Sequence, residues 1–141
     1  MADKTIFGSS QPPLKDEEEF LQAAKQRWNK LGEELKADVD IFNSHGGNAA
    51  FSEAGDKKYR VQSSGSGVQL TLTADFEAQV IRYEYSPVNT RSAGAPEGGM
   101  LAMRKCEQGA VELYTADERL TPDETRQVLL QPVLIPPGLA A

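Results

Sequence analysis

Histidine and cysteine are almost missing from this sequence of 141 residues, which contains only His45 and Cys106. A structural zinc site takes four ligands, mostly Cys and His, so the chain cannot build one. A lone cysteine cannot form an internal disulfide, which argues against a stapled secreted domain. A catalytic thiol would need a histidine partner, and nothing in the sequence brings these two residues together. We therefore interpret Cys106 as a small apolar side chain.

Positive charge and long apolar runs are also scarce. The formal net charge is −6, which argues against sequence-independent binding of nucleic acid, because that binding needs clustered Lys and Arg. No apolar run reaches the length of a membrane span, and the N-terminus lacks a signal-peptide pattern. We expect a cytoplasmic protein that contacts neither nucleic acid nor membrane.

Motifs that carry common chemistries are absent as well. The sequence has no G-x-S-x-G nucleophile motif, no phosphate-binding G-x-x-x-x-G-K and no calcium loop. The glycine-rich stretch "SSGSG" (63–67) lies between two predicted strands, which is typical of a hairpin turn. These absences favour a non-enzymatic protein without a metal or other cofactor.

A long amphipathic helix is the first predicted element. Its apolar residues recur at steps of three and four, as in Phe20, Ala24, Trp28, Leu31, Leu35, Val39 and Phe42. The pattern predicts about 27 helical residues, with Gly32 as a point where another backbone approaches. A heptad spacing is also present, but Ala24 and Asp38 would make a poor coiled-coil seam. We therefore favour packing against a sheet of the same chain.

Beyond Gly47 the period changes to two, which predicts strands at 49–54, 58–62, 68–73, 76–86, 100–106 and 110–116. A turn at Ser64-Gly65 would pair Val61 with Val68. The apolar phase slips at Val80–Ile81, which predicts a β-bulge. A turn through 107–109 with Gly109 left-handed would set Arg104 opposite Glu112.

The C-terminal part begins with a helix start signal. Thr121, Pro122 and Glu124 form a predicted capping box, followed by Val128, Leu129 and Leu130 as the apolar side of a short helix. The fold class is therefore α+β: a long N-terminal helix on an antiparallel meander of about six strands, then a short helix. We expect one domain over 14–135, a flexible arm at 1–13 and a tail at 136–141.

This order of elements resembles that of cystatin-like and NTF2-like domains, in which a helix lies in a curved antiparallel sheet. The resemblance rests on element order and assigns no residue roles. It implies a concavity between helix and sheet, and the residues expected to line it are Trp28, Tyr83, Tyr85 and Met103.

Three functional hypotheses remain open. The first is a small interaction or adaptor domain that binds protein through a sheet face, a sheet edge or the loop 86–99. The second is a small-molecule-binding domain or enzyme that uses the concavity. The third is a chaperone-like dimer, and the sequence leaves monomer and homodimer open. The stretch "DIFNSHGGNAAF" (40–51) is interpreted as a helix end in which His45 lies near the cap.

Overall fold

The computed structural model describes residues 11–88, 96–106 and 109–134 of the chain. It confirms the α+β class, with two helices and seven strands in those ranges. The elements are α1 (Gln11–Ser44), β1 (Ala49–Glu53), β2 (Lys58–Ser63), β3 (Val68–Asp75), β4 (Val80–Pro87), β5 (Gly99–Lys105), β6 (Val111–Thr115), β7 (Glu118–Leu120) and α2 (Pro122–Leu130). The short β7 is the strand that the sequence pattern missed.

The strands form one antiparallel sheet in chain order, from β1 at one edge to β7 at the other. Every second residue of β2 and β3 is buried, as expected for a sheet with one face on a core. Helix α1 covers that face with the predicted apolar stripe, of which Leu31 and Leu35 are fully buried. The core therefore lies in a single layer between helix and sheet.

The predicted β-bulge at Val80–Ile81 is wrong. Strand β3 continues to Asp75, and residues 76–79 form the turn to β4, which pairs without interruption from Asp75 opposite Val80 to Val68 opposite Pro87. The apolar phase slips there because the chain reverses direction. Phe76 belongs to the turn, and Ile81 begins the buried alternation of β4.

The two hairpins that join β2 to β3 and β5 to β6 differ in how well the sequence predicts them. In the first, Val61 lies opposite Leu70 instead of Val68, because the connection takes four residues rather than two. The shift by two keeps each side chain on its predicted face. In the second, Arg104 lies opposite Glu112 and Gly109 has a φ of 85°, as predicted.

Helix α1 is longer than predicted, and Gly32 has another role. The helix begins at Gln11, since proline is accepted in a first turn. A Cβ on Gly32 would lie 2.5 Å from the hydroxyl and ring of Tyr59. Gly32 therefore leaves room for the side chain of Tyr59, whereas the sequence analysis predicted that another backbone would approach there.

Helix α2 starts at the predicted capping box. The Glu124 amide donates to the Thr121 hydroxyl at 3.1 Å, and the Thr121 amide donates to the Glu124 carboxylate at 2.9 Å. Leu129 and Leu130 are buried as predicted, but Val128 is 42% exposed, and Thr125 takes the remaining buried position.

Candidate functional site

The four residues predicted to line a concavity all belong to the main hydrophobic cluster. Trp28 and Met103 are 2% and 1% exposed, and half-buried Tyr83 and Tyr85 pack against the same cluster. The two tyrosine rings meet edge to face at 5.9 Å. The Tyr85 hydroxyl donates to the Leu129 carbonyl at 2.8 Å, and burial raises the pKa of Tyr85. Their role in ligand binding stays a prediction.

Trp28 leaves one polar atom without a partner. Its ring stacks on Tyr59 with 4.1 Å between centroids, and the Tyr59 hydroxyl donates to the Trp28 carbonyl at 3.1 Å. The indole nitrogen of Trp28 is buried and makes no hydrogen bond among the described residues. A buried donor of this kind calls for an explanation such as a water or a ligand.

Open depressions on the described part of the surface include two beside α1. One, of about 530 Å³, runs between α1 and α2 over Ile41, Phe42, Leu130 and Leu134. Its charged wall is Arg126, which donates to Asp38 at 2.7 Å and to Asp123 at 2.6 Å. The other, of about 340 Å³, lies between the first turns of α1 and the β3–β4 turn.

The helix end at 42–47 has the cap geometry that the sequence predicts. Gly46 has a φ of 94°, and the Gly47 amide donates to the Phe42 carbonyl at 3.0 Å. The exposed His45 ring lies 2.9 Å from the Ile41 carbonyl through Nδ1. In the described residues the thiol of Cys106 contacts the Tyr114 hydroxyl at 3.8 Å and does not contact His45.

The outer edge of β1 is the feature with the clearest binding geometry. In an antiparallel pair, alternate residues direct both backbone polar groups toward the neighbouring strand. The Ala54 amide donates to Lys58 and the Ser64 amide to Asn48, so the even-numbered residues of this segment bond to β2. Odd-numbered residues of β1 therefore direct their amide and carbonyl groups away from the sheet.

The side chain of Asn43 already forms hydrogen bonds with both outward backbone groups of Ala49, the first of those residues. Its side-chain nitrogen donates to the Ala49 carbonyl at 2.8 Å, and its side-chain oxygen accepts from the Ala49 amide at 2.8 Å. A carboxamide offers a donor and an acceptor side by side, so it replaces one residue of a neighbouring strand. Asn43 thus ends the free edge at Ala49.

Phe51 and Glu53 keep two outward amides and two outward carbonyls. No strand lies beside them on that side within the ranges that the structure describes. An unpaired row of this kind is a template for another strand. Phe51 is half-buried against Tyr59, whereas Ala50, Ser52 and Glu53 are exposed. The sequence predicted a sheet edge as one possible binding surface but not that β1 forms it, because periodicity does not tell which strand lies at an edge.

The negative charge at the β1 edge affects the buried hydroxyl of Tyr59. Burial, together with the negative charges of Glu53 and Glu33, raises the pKa of Tyr59 to about 12. Glu53 is the only charged residue of β1, so the edge lacks the lysine that often protects exposed strands.

Metal and membrane sites find no support in the part of the chain that the structure describes. None of its His, Cys, Asp and Glu side chains form a group of three that could hold a metal ion. Neither described helix has the length and apolar character needed to cross a bilayer. Most of the predicted loop site, residues 89–95, and the tail at 136–141 lie outside the described residues.

Comparison with known proteins adds no relative. No protein-family model, no curated protein and no solved structure matches the chain. The resemblance of element order to cystatin-like and NTF2-like domains therefore has no matching structure behind it.

Proposed function

We propose that this chain is a soluble, cytoplasmic, non-enzymatic interaction domain that binds an extended protein segment along β1. The observation that supports the proposal is the set of four outward backbone groups on Phe51 and Glu53. Strand addition draws its affinity from such main-chain hydrogen bonds, and pockets for alternate side chains provide specificity.

The side chains around the edge fit this mode of binding. Ala50 and Ser52 are small and leave the outer face of the edge open to a neighbouring strand. Phe51 provides an apolar contact on the inner face, next to Tyr59. The edge belongs to a seven-stranded sheet that packs against α1, so binding would require little rearrangement of the backbone.

The test uses extended peptides selected from a display library against the intact chain. We expect bound peptides to protect the Phe51 and Glu53 amides from hydrogen exchange. Glu53→Pro should weaken binding by about tenfold or more, because it removes one outward donor, worth about 1 kcal/mol, and blocks close approach. Proline is tolerated on the open side of an edge strand, so the fold should persist.

The matched control is Glu53→Ala, which changes the side chain but keeps the backbone donor. This variant should bind the selected peptides within about twofold of wild type, since the loss expected for one surface charge is small. Peptides that bind Glu53→Pro as tightly as wild type, or that protect amides elsewhere, would contradict the proposal.

A ligand site formed by Trp28, Tyr83, Tyr85 and Met103 is a second proposal. Its support is the buried Trp28 indole nitrogen, which has no partner among the described residues. Trp28 is the only tryptophan of the chain, so its fluorescence reports on this site alone. A fragment library should contain hydrogen-bond acceptors that shift its emission and that lose affinity for Met103→Ala. If no fragment shifts the emission, this second proposal fails.

A further inference from the structure

We infer that the segment bound at β1 is the β1 strand of a second copy of this chain, paired antiparallel about a two-fold axis at Ser52. This inference rests on the proposed function of the edge and names its partner. It follows from the positions of the outward groups, from the Asn43 contact and from the size of the side chains.

The free backbone groups select one self-pairing register. With Ser52 opposite Ser52 of the copy, Phe51 lies opposite Glu53 of the copy on both sides of the axis. Each Phe51–Glu53 pair exchanges two N–H···O=C bonds, because both residues direct their polar groups outward. All outward groups of these two residues are then satisfied, and the Asn43 bonds to Ala49 remain intact.

A two-fold axis at Phe51, the neighbouring outward residue, would leave backbone groups without partners. An axis at Phe51 would set Glu53 of one copy opposite Ala49 of the other. Asn43 already occupies the donor and the acceptor of Ala49 at 2.8 Å each, so the groups of Glu53 would have to displace it or stay unpaired. Asn43 therefore disfavours an axis at Phe51. An axis at Glu53 would set Phe51 opposite Gly55, whose carbonyl already accepts from the Lys58 amide at 3.4 Å, so the axis at Ser52 remains.

The outer-face side chains of β1 are small enough for the two copies to approach closely. On the outer face, Ser52 meets itself and Ala50 meets Ala54, all of them small and exposed. Strand β1 ends at Glu53 and the chain turns at Gly55 toward its own β2, so the copy leaves the place beside Ala49 to Asn43. On the outer face of the edge, therefore, no bulky side chain stands between the two copies.

Charges on the neighbouring flank of α1 also fit a two-fold pairing. Asn43 and Gly32 mark the side of α1 that faces β1 and β2, through their contacts with Ala49 and Tyr59. The helical period places exposed Glu33, Lys36 and Asp40 toward that side, with alternating sign. A two-fold axis at Ser52 would run the flanks of the two copies in opposite directions.

Cysteine cross-linking tests the register in the intact chain. With Cys106→Ser as background, Ser52→Cys should form an intermolecular disulfide under mild oxidation. Directly opposed, non-hydrogen-bonded residues have Cα atoms about 4.5 Å apart, within reach of a disulfide. Ala50→Cys is the matched control. Its two copies would lie about 14 Å apart along the strands, beyond reach.

A mixture of two cysteine variants completes the cross-linking experiment. Ala50→Cys mixed with Ala54→Cys should cross-link, since these two residues face each other in the inferred register. Sedimentation of the wild-type chain should show a dimer, and Glu53→Pro should shift it to monomer. Cross-linking of Ala50→Cys as efficient as that of Ser52→Cys would overturn the inference, because it would report random collision.

The failures of the inference and of the proposed function can be told apart. A monomeric wild type without a Ser52→Cys cross-link overturns the inference, while peptide binding that Glu53→Pro abolishes still supports the function. If Glu53→Pro changes neither peptide binding nor the oligomeric state, both fail together.

Discussion

At the scale of single residues, Tyr59 links the helix, the sheet and the candidate edge. Its ring lies between Trp28 and Phe51, and its hydroxyl fills the space above Gly32. The residue is 4% exposed, and its hydroxyl donates to the carbonyl of Trp28. A substitution at Tyr59 should therefore change both the free energy of unfolding and the position of Phe51 at the β1 edge.

The raised pKa of Tyr59 predicts a loss of stability at high pH. The unfolded value is 10.0 and the folded value about 12, so the stabilisation is complete below pH 10 and is lost as the pH rises toward 12. Tyr59→Phe should cost about 1 kcal/mol at neutral pH through the lost hydrogen bond, and should reduce the loss above pH 10. Urea unfolding across this pH range measures both effects.

A control for the cause of this shift is Glu53→Gln. Removing that negative charge should lower the pKa of Tyr59, so the loss of stability would be smaller than in wild type. Burial also raises the pKa of Tyr85, and Tyr59→Phe should therefore keep part of the alkaline loss. If the free energy of unfolding of Tyr59→Phe falls above pH 10 as steeply as that of wild type, the loss of stability does not come from Tyr59.

At the scale of elements, the β3–β4 turn is held by one carboxylate and contains a strained residue. Asp75 accepts from the Ala78 amide at 3.0 Å and from Arg82 at 2.7 Å, and these bonds lower the pKa of Asp75. Gln79 has a φ of 60°, which costs a non-glycine residue about 1 kcal/mol. Its carbonyl nevertheless accepts from the Met103 amide at 2.8 Å, which ties the turn to β5.

We expect Gln79→Gly to stabilise the chain by about 0.5 kcal/mol, because the relieved strain exceeds the entropy that glycine loses on folding. Chemical denaturation gives the change in the free energy of unfolding. Glu77→Gly in the same turn is the control, because Glu77 does not have a positive φ, and it should destabilise. Equal effects of the two substitutions would show that strain at Gln79 is not the cause.

At the scale of the whole molecule, the covered inner face of the sheet and the open edge of β1 determine which surfaces can bind a partner. Helix α1 and helix α2 cover the inner face of the sheet, and Tyr85 ties β4 to α2. The net charge of −6 repels a second copy at low ionic strength. Association through β1 should therefore strengthen when salt screens that charge.

Much of the fold could be predicted because each element has a local cause. The three-and-four spacing determines α1, the two-residue alternation determines six of the strands, and the Thr121–Glu124 pair determines where α2 begins. The register at Arg104 and Glu112 was also predictable, since Gly109 marks the turn. The pattern around Val80 was misleading, because a turn and a bulge shift an apolar phase in the same way.

The sequence by itself determined the class of fold, the helix and strand periods and the exclusion of a structural zinc site and an internal disulfide. Only the tertiary structure decided that β1 lies at the edge, that Asn43 pairs with Ala49, and that Phe51 and Glu53 face outward. The physical reason is that periodicity reports which face of a strand is buried. Which side of a strand lacks a neighbour depends on strand order, and strand order is a property of the assembled sheet.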